Sequence, residues 1–176
     1  MADYDWSRFQ IVFYYAASVE TVYRAWSTAA GLESFLLVNA TFSDAKGGGI
    51  RDRLSVAAAG DKYRWFWAHG FELEGTVLVA ANNAEFSFTF GAMRVDIRLS
   101  PIRGQTELVL EQTAIDTTDA GRVSGHLNCR SCWIFFLANL LSVLDHHVDL
   151  RNQAPDLASS MEVGFTPLSR KSGSSV

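Results

Sequence analysis

Aromatic residues alternate with other residue types through the middle of this chain. The alternating positions are Tyr63, Trp65, Trp67, Phe86, Phe88 and Phe90. Because successive side chains of a β-strand point to opposite faces, each set of three shares one face of a sheet. A sheet with so much aromatic surface on one side must bury that surface against another element.

A long apolar helix, predicted between His126 and Val148, is the later element best able to cover this face. Its apolar residues recur at three- and four-residue spacing, which is typical of one helix face. These residues are Trp133, Phe136, Leu137, Leu140, Leu144 and Val148. The pattern therefore predicts an α+β fold in which a curved antiparallel sheet grips this helix and leaves a cavity between them.

The remaining elements follow from shorter patterns. Strands are predicted over Arg8–Tyr15, Val38–Ser43, Tyr63–Ala68, Glu72–Ala80, Glu85–Phe90, Arg94–Ser100 and Thr106–Ile115. Ser18 is a candidate N-cap of a helix that Gly31 ends or interrupts, and a second short helix follows over Leu32–Leu37. Asp116–Gly125 is predicted to be a polar loop, and Ile50–Ala59 either a short strand or an irregular flap.

Length and charge limit what the chain can do. Its 176 residues predict one domain over 1–152, followed by a peripheral or disordered tail over 153–176. A net charge of −4 and a pI near 5.5 argue against binding nucleic acid, which needs a basic face. Both values are compatible with small-molecule or protein partners.

No segment predicts export or membrane insertion. The N-terminal residues are polar and acidic rather than basic and then apolar. The densest apolar run, Trp133–Leu141, is far shorter than the roughly 20 residues that span a bilayer. Two cysteines, Cys129 and Cys132, are too few for a disulfide framework, which agrees with a reducing compartment. We therefore expect a cytoplasmic protein.

Six segments carry a resemblance to a known family: 22–36 (VYRAWSTAAGLESFL), 60–67 (GDKYRWFW), 72–78 (ELEGTVL), 86–91 (FSFTFG), 106–112 (TELVLEQ) and 149–152 (DLRN). With the order of elements, they resemble the SRPBCC or START-like superfamily, and more narrowly the branch named after homologues of the heat-shock-protein ATPase activator. The resemblance implies the helix-grip fold: about seven strands wrapped around a long C-terminal helix, with two short helices after the first strand.

The resemblance also implies a choice of functions. This superfamily holds lipids, hormones or polyketides in one cavity and sometimes catalyses reactions there. The branch name implies a chaperone-associated role in the stress response. Co-chaperones of that name carry an additional N-terminal domain that this sequence does not contain, which lowers the expectation of chaperone stimulation.

The cavity lining is the main candidate site. Sheet residues Trp65, Trp67, Phe88 and Phe90 are expected to face helix residues Trp133, Phe136, Leu137 and Leu140. Such a lining predicts a small apolar or amphipathic ligand. The alternative is a solid aromatic core, because burying each ring stabilises the fold by roughly 1.5–3 kcal/mol without any ligand. No catalytic residue, metal ligand or cofactor is assigned.

Three carboxylates offer a second hypothesis. Glu72 and Glu74 share one strand face, and Asp96 lies on a neighbouring strand. Inside a cavity, one of them could act as a general base with a raised pKa. Arg64 and other arginines alternate in the same way, however, so cross-strand ion pairs on a solvated face are the favoured interpretation.

The sequence H-x2-C-x2-C, formed by His126, Cys129 and Cys132, opens the long helix. Thiols near a helix N-terminus have lowered pKa values, which would suit a redox or metal role. A structural zinc site usually has four ligands, so small apolar filling is favoured. Gly47-Gly48-Gly49 lacks the phosphate-loop pattern; it is an ordinary loop or a gate at the cavity mouth.

Three functions follow, in order of preference. The first is a binding module for a small molecule, the second a chaperone-associated interaction protein, and the third a cyclase- or hydrolase-type enzyme. An enzyme ranks last because the sequence contains no compact catalytic motif. A second copy of the chain is a further candidate partner, and the tail around Met161–Phe165 is expected either to pack on a partner or its own subunit or to be disordered.

Overall fold

The structure is a computed structural model that describes residues 4–46 and 48–152, together with Ala154 and Ser159. Its strands are β1 (Phe9–Tyr15), β2 (Asn39–Ser43), β3 (Lys62–Phe66), β4 (Glu72–Ala81), β5 (Glu85–Phe90), β6 (Met93–Ile102) and β7 (Gln105–Thr113). Its helices are α1 (Val19–Ser27), α2 (Ala29–Phe35), α3 (Asp119–Gly121) and α4 (Cys129–His146). The predicted tail, 153–176, lies outside the described residues apart from Ala154 and Ser159.

The strands form one curved antiparallel sheet in the order β1-β7-β6-β5-β4-β3-β2. The aromatic positions that alternate in the sequence lie on its inner face, where Trp65 and Phe88 are fully buried. α4 packs across this face, and its buried residues are Trp133, Phe136, Leu137, Asn139 and Leu140. This arrangement confirms the helix-grip fold that the sequence predicts.

The two short helices meet at Thr28 rather than at Gly31. Ser18 caps α1 as predicted, by accepting a hydrogen bond from the Thr21 amide at 3.2 Å. Thr28 ends α1 and caps α2, because its Oγ1 accepts from the Gly31 amide at 3.0 Å. The prediction that Gly31 breaks the helix is therefore wrong. Gly31 lies inside α2, where the backbone of α1 passes too close for any side chain.

The long helix begins earlier than the sequence indicates. α3, a π-helical segment over Arg122–Asn128 and α4 form one continuous run, capped by Thr118. The predicted loop over Asp116–Gly125 is therefore wrong from Asp119 onward. Gly125 is a packing position within this run, because a Cβ there would lie 2.9 Å from the side chain of Ile115. The helix ends at His146, so Val148 lies beyond it and is half exposed.

Among the described residues, the run Asp119–His146 is long and apolar enough to cross a membrane by length and composition. Core helices of globular proteins share both properties. Here the apolar stripe that includes Trp133 and Phe136 belongs to the hydrophobic core formed with the sheet.

Residues 44–46 and 48–61, between β2 and β3, are irregular and are held by one buried carboxylate. The Ile50–Ala59 stretch contains no strand beyond a single bridge between Ser43 and Ile50, and Gly47 lies outside the described residues. Asp61 is 1% exposed and accepts hydrogen bonds from Arg51 Nη2 and the Ala58 amide, both at 2.8 Å. Burial alone would raise the pKa of Asp61, but these hydrogen bonds outweigh it and lower the pKa.

We expect Asp61→Asn to destabilise the protein by about 2 kcal/mol at pH 7. Because its pKa is lowered in the folded state, Asp61 contributes stability above its unfolded pKa and loses it as pH falls through the folded value. The difference in free energy of unfolding between wild type and variant should therefore shrink below about pH 4. Urea unfolding at several pH values measures it. A difference that stays constant down to pH 2.5 would contradict this, and Asp52→Asn, at an exposed site, is the control.

Candidate functional site

A pocket of about 320 Å³ opens between the segment that links β3 to β4, the end of β5 and the start of α4. We call it the aromatic pocket. Its lining residues are Leu36, Trp67, Ala68, Phe71, Phe90, Asn128, Cys129, Cys132, Trp133 and Phe136. Its volume lies at the lower end of the range for small-molecule sites, and none of these described lining residues carries a carboxylate or a basic group.

The structure divides the predicted lining residues into two groups. Trp67, Phe90, Trp133 and Phe136 line the aromatic pocket. Trp65, Phe88, Leu137 and Leu140 are fully buried and do not line it. Trp65 packs against other rings instead of lining open space, because its ring centroid is 4.0 Å from that of Tyr63 and 4.9 Å from that of Phe88. These deeper positions fill the core.

A short turn after β3 positions the outer wall of the aromatic pocket. The chain leaves β3 at Phe66, passes Trp67 and forms a single 3-10 turn over Ala68–Gly70. Gly70 has a φ of +82°, which glycine adopts without strain. The turn brings the ring of Phe71 to 5.2 Å from that of Trp67, with Phe71 56% exposed at the mouth. The sequence prediction omitted Phe71, whose signal was an apolar residue directly after a turn.

A buried glutamine fixes the inner wall. Gln112 on β7 is fully buried, and its Oε1 accepts a hydrogen bond from Trp133 Nε1 at 2.7 Å. Its Nε2 donates to the carbonyl of Gly125 at 3.3 Å, in the π-helical segment. Gln112 thus holds both Trp133 and the helical turn before α4. Its sequence signal was a polar residue at an inward-facing strand position, next to Leu108 and Leu110.

The two cysteines line the aromatic pocket as protonated thiols. Because the helical run continues upstream to Asp119, Cys129 does not lie at a helix N-terminus, so the lowered thiol pKa that the redox or metal hypothesis needs is not found. Burial raises the pKa of Cys129, and it raises the pKa of Cys132 to about 11. Thiols of this kind are weak nucleophiles at neutral pH.

His126 does not join the cysteines. Its Nε2 is 2.8 Å from the Tyr4 hydroxyl, and its Nδ1 is 3.1 Å from the Trp6 carbonyl, where it ties the N-terminal segment to the π-helical segment. Within the part of the chain that the structure describes, no group of three or more His, Cys, Asp or Glu residues could hold a metal ion.

The three predicted carboxylates lie outside the aromatic pocket. Glu72 pairs with Arg64 across β3 and β4, and Glu74 is 3.5 Å from the same guanidinium. Asp96 accepts from Arg94 Nε at 2.8 Å. Burial would raise the pKa of Asp96, but the hydrogen bonds from Arg94 and Ser87 lower it overall. Glu72 and Glu74 thus have the cross-strand ion-pair geometry that the sequence favoured over a general base, whereas Asp96 is buried and pairs with Arg94 on its own strand.

A second compartment of about 270 Å³ adjoins the aromatic pocket, with which it shares Leu36, Trp67, Ala68 and Phe136. We call it the polar compartment, because its other lining residues include Glu33, Arg151 and Asn152. Sequence reasoning did not identify it, since Glu33 and Arg151 lie 118 positions apart and meet only in the fold.

The charges in the polar compartment are paired. Glu33 forms an ion pair with Arg53, and its Oε1 accepts from the Ala40 amide at 3.0 Å. Arg151 pairs with Asp149 at 2.7 Å and donates to the carbonyls of Leu37 and Glu33 at 2.8 and 2.9 Å. Burial opposes ionisation of Asp149, yet the hydrogen bonds from Arg151 lower its pKa. The polar compartment therefore presents oxygen acceptors without an unbalanced charge among the described residues.

A protein-family model supports the resemblance. The model described as Activator of Hsp90 ATPase homolog 1-like protein matches residues 16–145, which includes every strand from β2 to β7 and most of α4. Among curated proteins, no match of significance is found.

Solved structures share the fold at low sequence identity. A crystal structure of a Staphylococcus saprophyticus protein is 19% identical with a TM-score of 0.63, covering 81% of this chain and 96% of that one. A solution structure described as the Aha1 dimer from Colwellia psychrerythraea is 20% identical with a TM-score of 0.58, covering 79% and 96%. A Mesorhizobium loti protein is 19% identical with a TM-score of 0.60, covering 81% and 100%. These likenesses show the fold alone.

Proposed function

Because the chain belongs to the family of Activator of Hsp90 ATPase homolog 1-like proteins, we propose that it is a START-like domain that binds a small apolar molecule in the aromatic pocket. The observation that carries this proposal is the pocket itself, a space of about 320 Å³ that side chains leave open between the sheet and α4. A solid core, the alternative that the sequence left open, would fill this space.

The lining supports an apolar occupant. The rings of Trp67 and Phe71 are 5.2 Å apart at the mouth, and those of Phe90 and Trp133 are 5.4 Å apart at the inner wall. Trp133 Nε1 already donates a hydrogen bond to Gln112, so it does not require a hydrogen-bond acceptor from the ligand. Aromatic faces and edges of this kind contact apolar and aromatic molecules favourably. The protonated thiols of Cys129 and Cys132 extend the same apolar surface.

A fluorescence titration with N-phenyl-1-naphthylamine, a neutral aromatic probe, tests this function. We expect saturable binding to wild type. Cys132→Phe places a ring in the aromatic pocket and should weaken probe binding about tenfold or more, because it occupies the volume that the probe needs. The matched control is Arg130→Phe, which introduces the same ring at an exposed position of α4.

Binding that is equally tight in wild type and Cys132→Phe would contradict the proposed site. Absence of saturable binding to wild type would contradict the proposed function as a whole. Far-ultraviolet circular dichroism of each variant verifies that the fold is retained.

The family description favours a second candidate, a chaperone-associated interaction. The description of the family refers to an activator of the Hsp90 ATPase. The test is the steady-state ATP hydrolysis rate of a purified Hsp90 with and without an excess of this protein. A rate that rises several-fold would support this candidate, and an unchanged rate would contradict it.

A second copy of the chain is the further partner that the comparisons suggest. The Colwellia psychrerythraea structure is described as a dimer. We propose the same association state for this chain, and light scattering coupled to size-exclusion chromatography tests it. A mass of 19.4 kDa, that of one chain, at micromolar concentration would contradict it.

A further inference from the structure

We propose that the aromatic pocket and the polar compartment together hold one neutral amphiphile, with its apolar body against the aromatic rings and an alcohol-type head in the polar compartment. This inference builds on the proposed function, because it names the chemical class of the ligand. The two spaces, of about 320 and 270 Å³, share Leu36, Trp67, Ala68 and Phe136 as a common wall.

The head group is defined by the acceptors that it would meet. The polar compartment is lined by Glu33 and Leu37, whose backbone carbonyls both accept a hydrogen bond from Arg151, a third lining residue. Each carbonyl oxygen has two lone pairs, so one that accepts from Arg151 can still accept a second hydrogen bond. A hydroxyl group supplies one donor and fits such an acceptor-rich surface.

Charge balance argues against an ionic head. A carboxylate or phosphate would lie near the acidic Glu33, while Arg151, the cation among the described lining residues, already pairs with Asp149 at 2.7 Å. An ammonium group would face Arg151, while Glu33 is already paired with Arg53. Either ion would lose its water without gaining an unpaired counter-charge, which is unfavourable. A neutral head avoids this cost.

The apolar body is defined by the other space. No carboxylate or basic group belongs to the described lining of the aromatic pocket, whose walls are mainly rings, aliphatic groups and thiols. An apolar chain or ring that starts at the shared wall of Leu36, Trp67 and Phe136 would extend toward Cys132 and Trp133. The head would then lie at the polar end of these shared residues, near Glu33.

Displacement of bound N-phenyl-1-naphthylamine by octanol, octanoate and octylammonium tests the proposal at pH 7.5. We expect octanol to displace the probe at about tenfold lower concentration than either ion. Arg53→Ala provides the sharper test, because Arg53 is 69% exposed and its removal leaves Glu33 unpaired at little cost to the fold. In this variant, the affinity of octylammonium relative to that of octanoate should rise about tenfold.

The octyl chain is the same in all three compounds. A change in the ratio of octanoate to octylammonium affinity between wild type and Arg53→Ala therefore reports on the surroundings of the head group. The control is Arg103→Ala, which removes the same charge from the exposed turn between β6 and β7 and should leave the ratio unchanged. If the probe binds but an ion displaces it as well as octanol does, the head-group proposal is wrong and the proposed function stands. An unchanged ion ratio in Arg53→Ala also overturns the proposal. If the probe does not bind to wild type, both are wrong.

Discussion

Gly31→Ala is expected to destabilise the protein by about 3 kcal/mol and to lower its melting temperature by roughly 10 °C. In most helices this change is stabilising, by up to about 1 kcal/mol, because alanine has the higher helix propensity. Here a Cβ would lie 2.3 Å from the Arg24 carbonyl oxygen and 2.6 Å from the Ala25 Cα. Both atoms belong to the backbone of α1, so the overlap can be relieved only by moving α1 away from α2.

Gly49→Ala is the matched control. Gly49 is exposed, has no positive φ and has no atom within 4 Å of the position that a Cβ would take. The free energy of unfolding of the Gly49→Ala variant should differ from that of wild type by less than about 1 kcal/mol. The two variants are compared by urea unfolding and thermal melting. A neutral or stabilising effect of Gly31→Ala would show that α1 and α2 do not approach as closely as described, and would put the position of Leu36 at the pocket wall in question.

Asn139→Leu is the second variant for which we expect a large loss, again about 3 kcal/mol. Asn139 lies on α4, is fully buried and connects three parts of the chain. Its Nδ2 donates to the Phe35 carbonyl at 2.8 Å and to Asp149 Oδ1 at 3.0 Å. Its Oδ1 accepts from the Leu150 amide at 2.6 Å. Leucine has a similar volume but leaves these buried partners without a hydrogen bond.

The same substitution should also disturb the polar compartment, because Asn139 helps to hold Asp149, which in turn pairs with Arg151. Arg130→Leu, at an exposed position of the same helix, is the control and should change stability by less than about 0.5 kcal/mol. Denaturant unfolding measures both variants. Equal stability of Asn139→Leu and wild type would contradict the role of Asn139 as the link between α2, α4 and the segment that follows.

The fold could be predicted because it depends on patterns that repeat along the chain. The alternation of aromatic residues in β3 and β5 and the helical spacing in α4 are read directly from the order of apolar residues. Glycine misled the prediction at Gly31, because a glycine that breaks a helix and one that admits a neighbouring element look the same in a single sequence. Only the position of Arg24 and Ala25 distinguishes the two cases.

The site was less predictable because it depends on how far each side chain lies from the centre of the sheet. Trp65 and Trp67 share one face and are two residues apart, yet Trp65 lies in the core and Trp67 lines the aromatic pocket. The polar compartment needs contacts between α2 and residues after α4. Such contacts leave no periodic signal, although the DLRN segment that provides Asp149 and Arg151 was visible as part of the family resemblance.

A small apolar molecule that occupies the space between Trp67 and Trp133 should change the indole N–H signals of both tryptophans in a ¹H–¹⁵N NMR spectrum. Each of the five tryptophans gives one such signal. On titration with N-phenyl-1-naphthylamine, the signals of Trp67 and Trp133 should shift and saturate together. Trp6, which lies beside His126, should not shift. Saturable binding that leaves the signals of Trp67 and Trp133 in place would contradict the account.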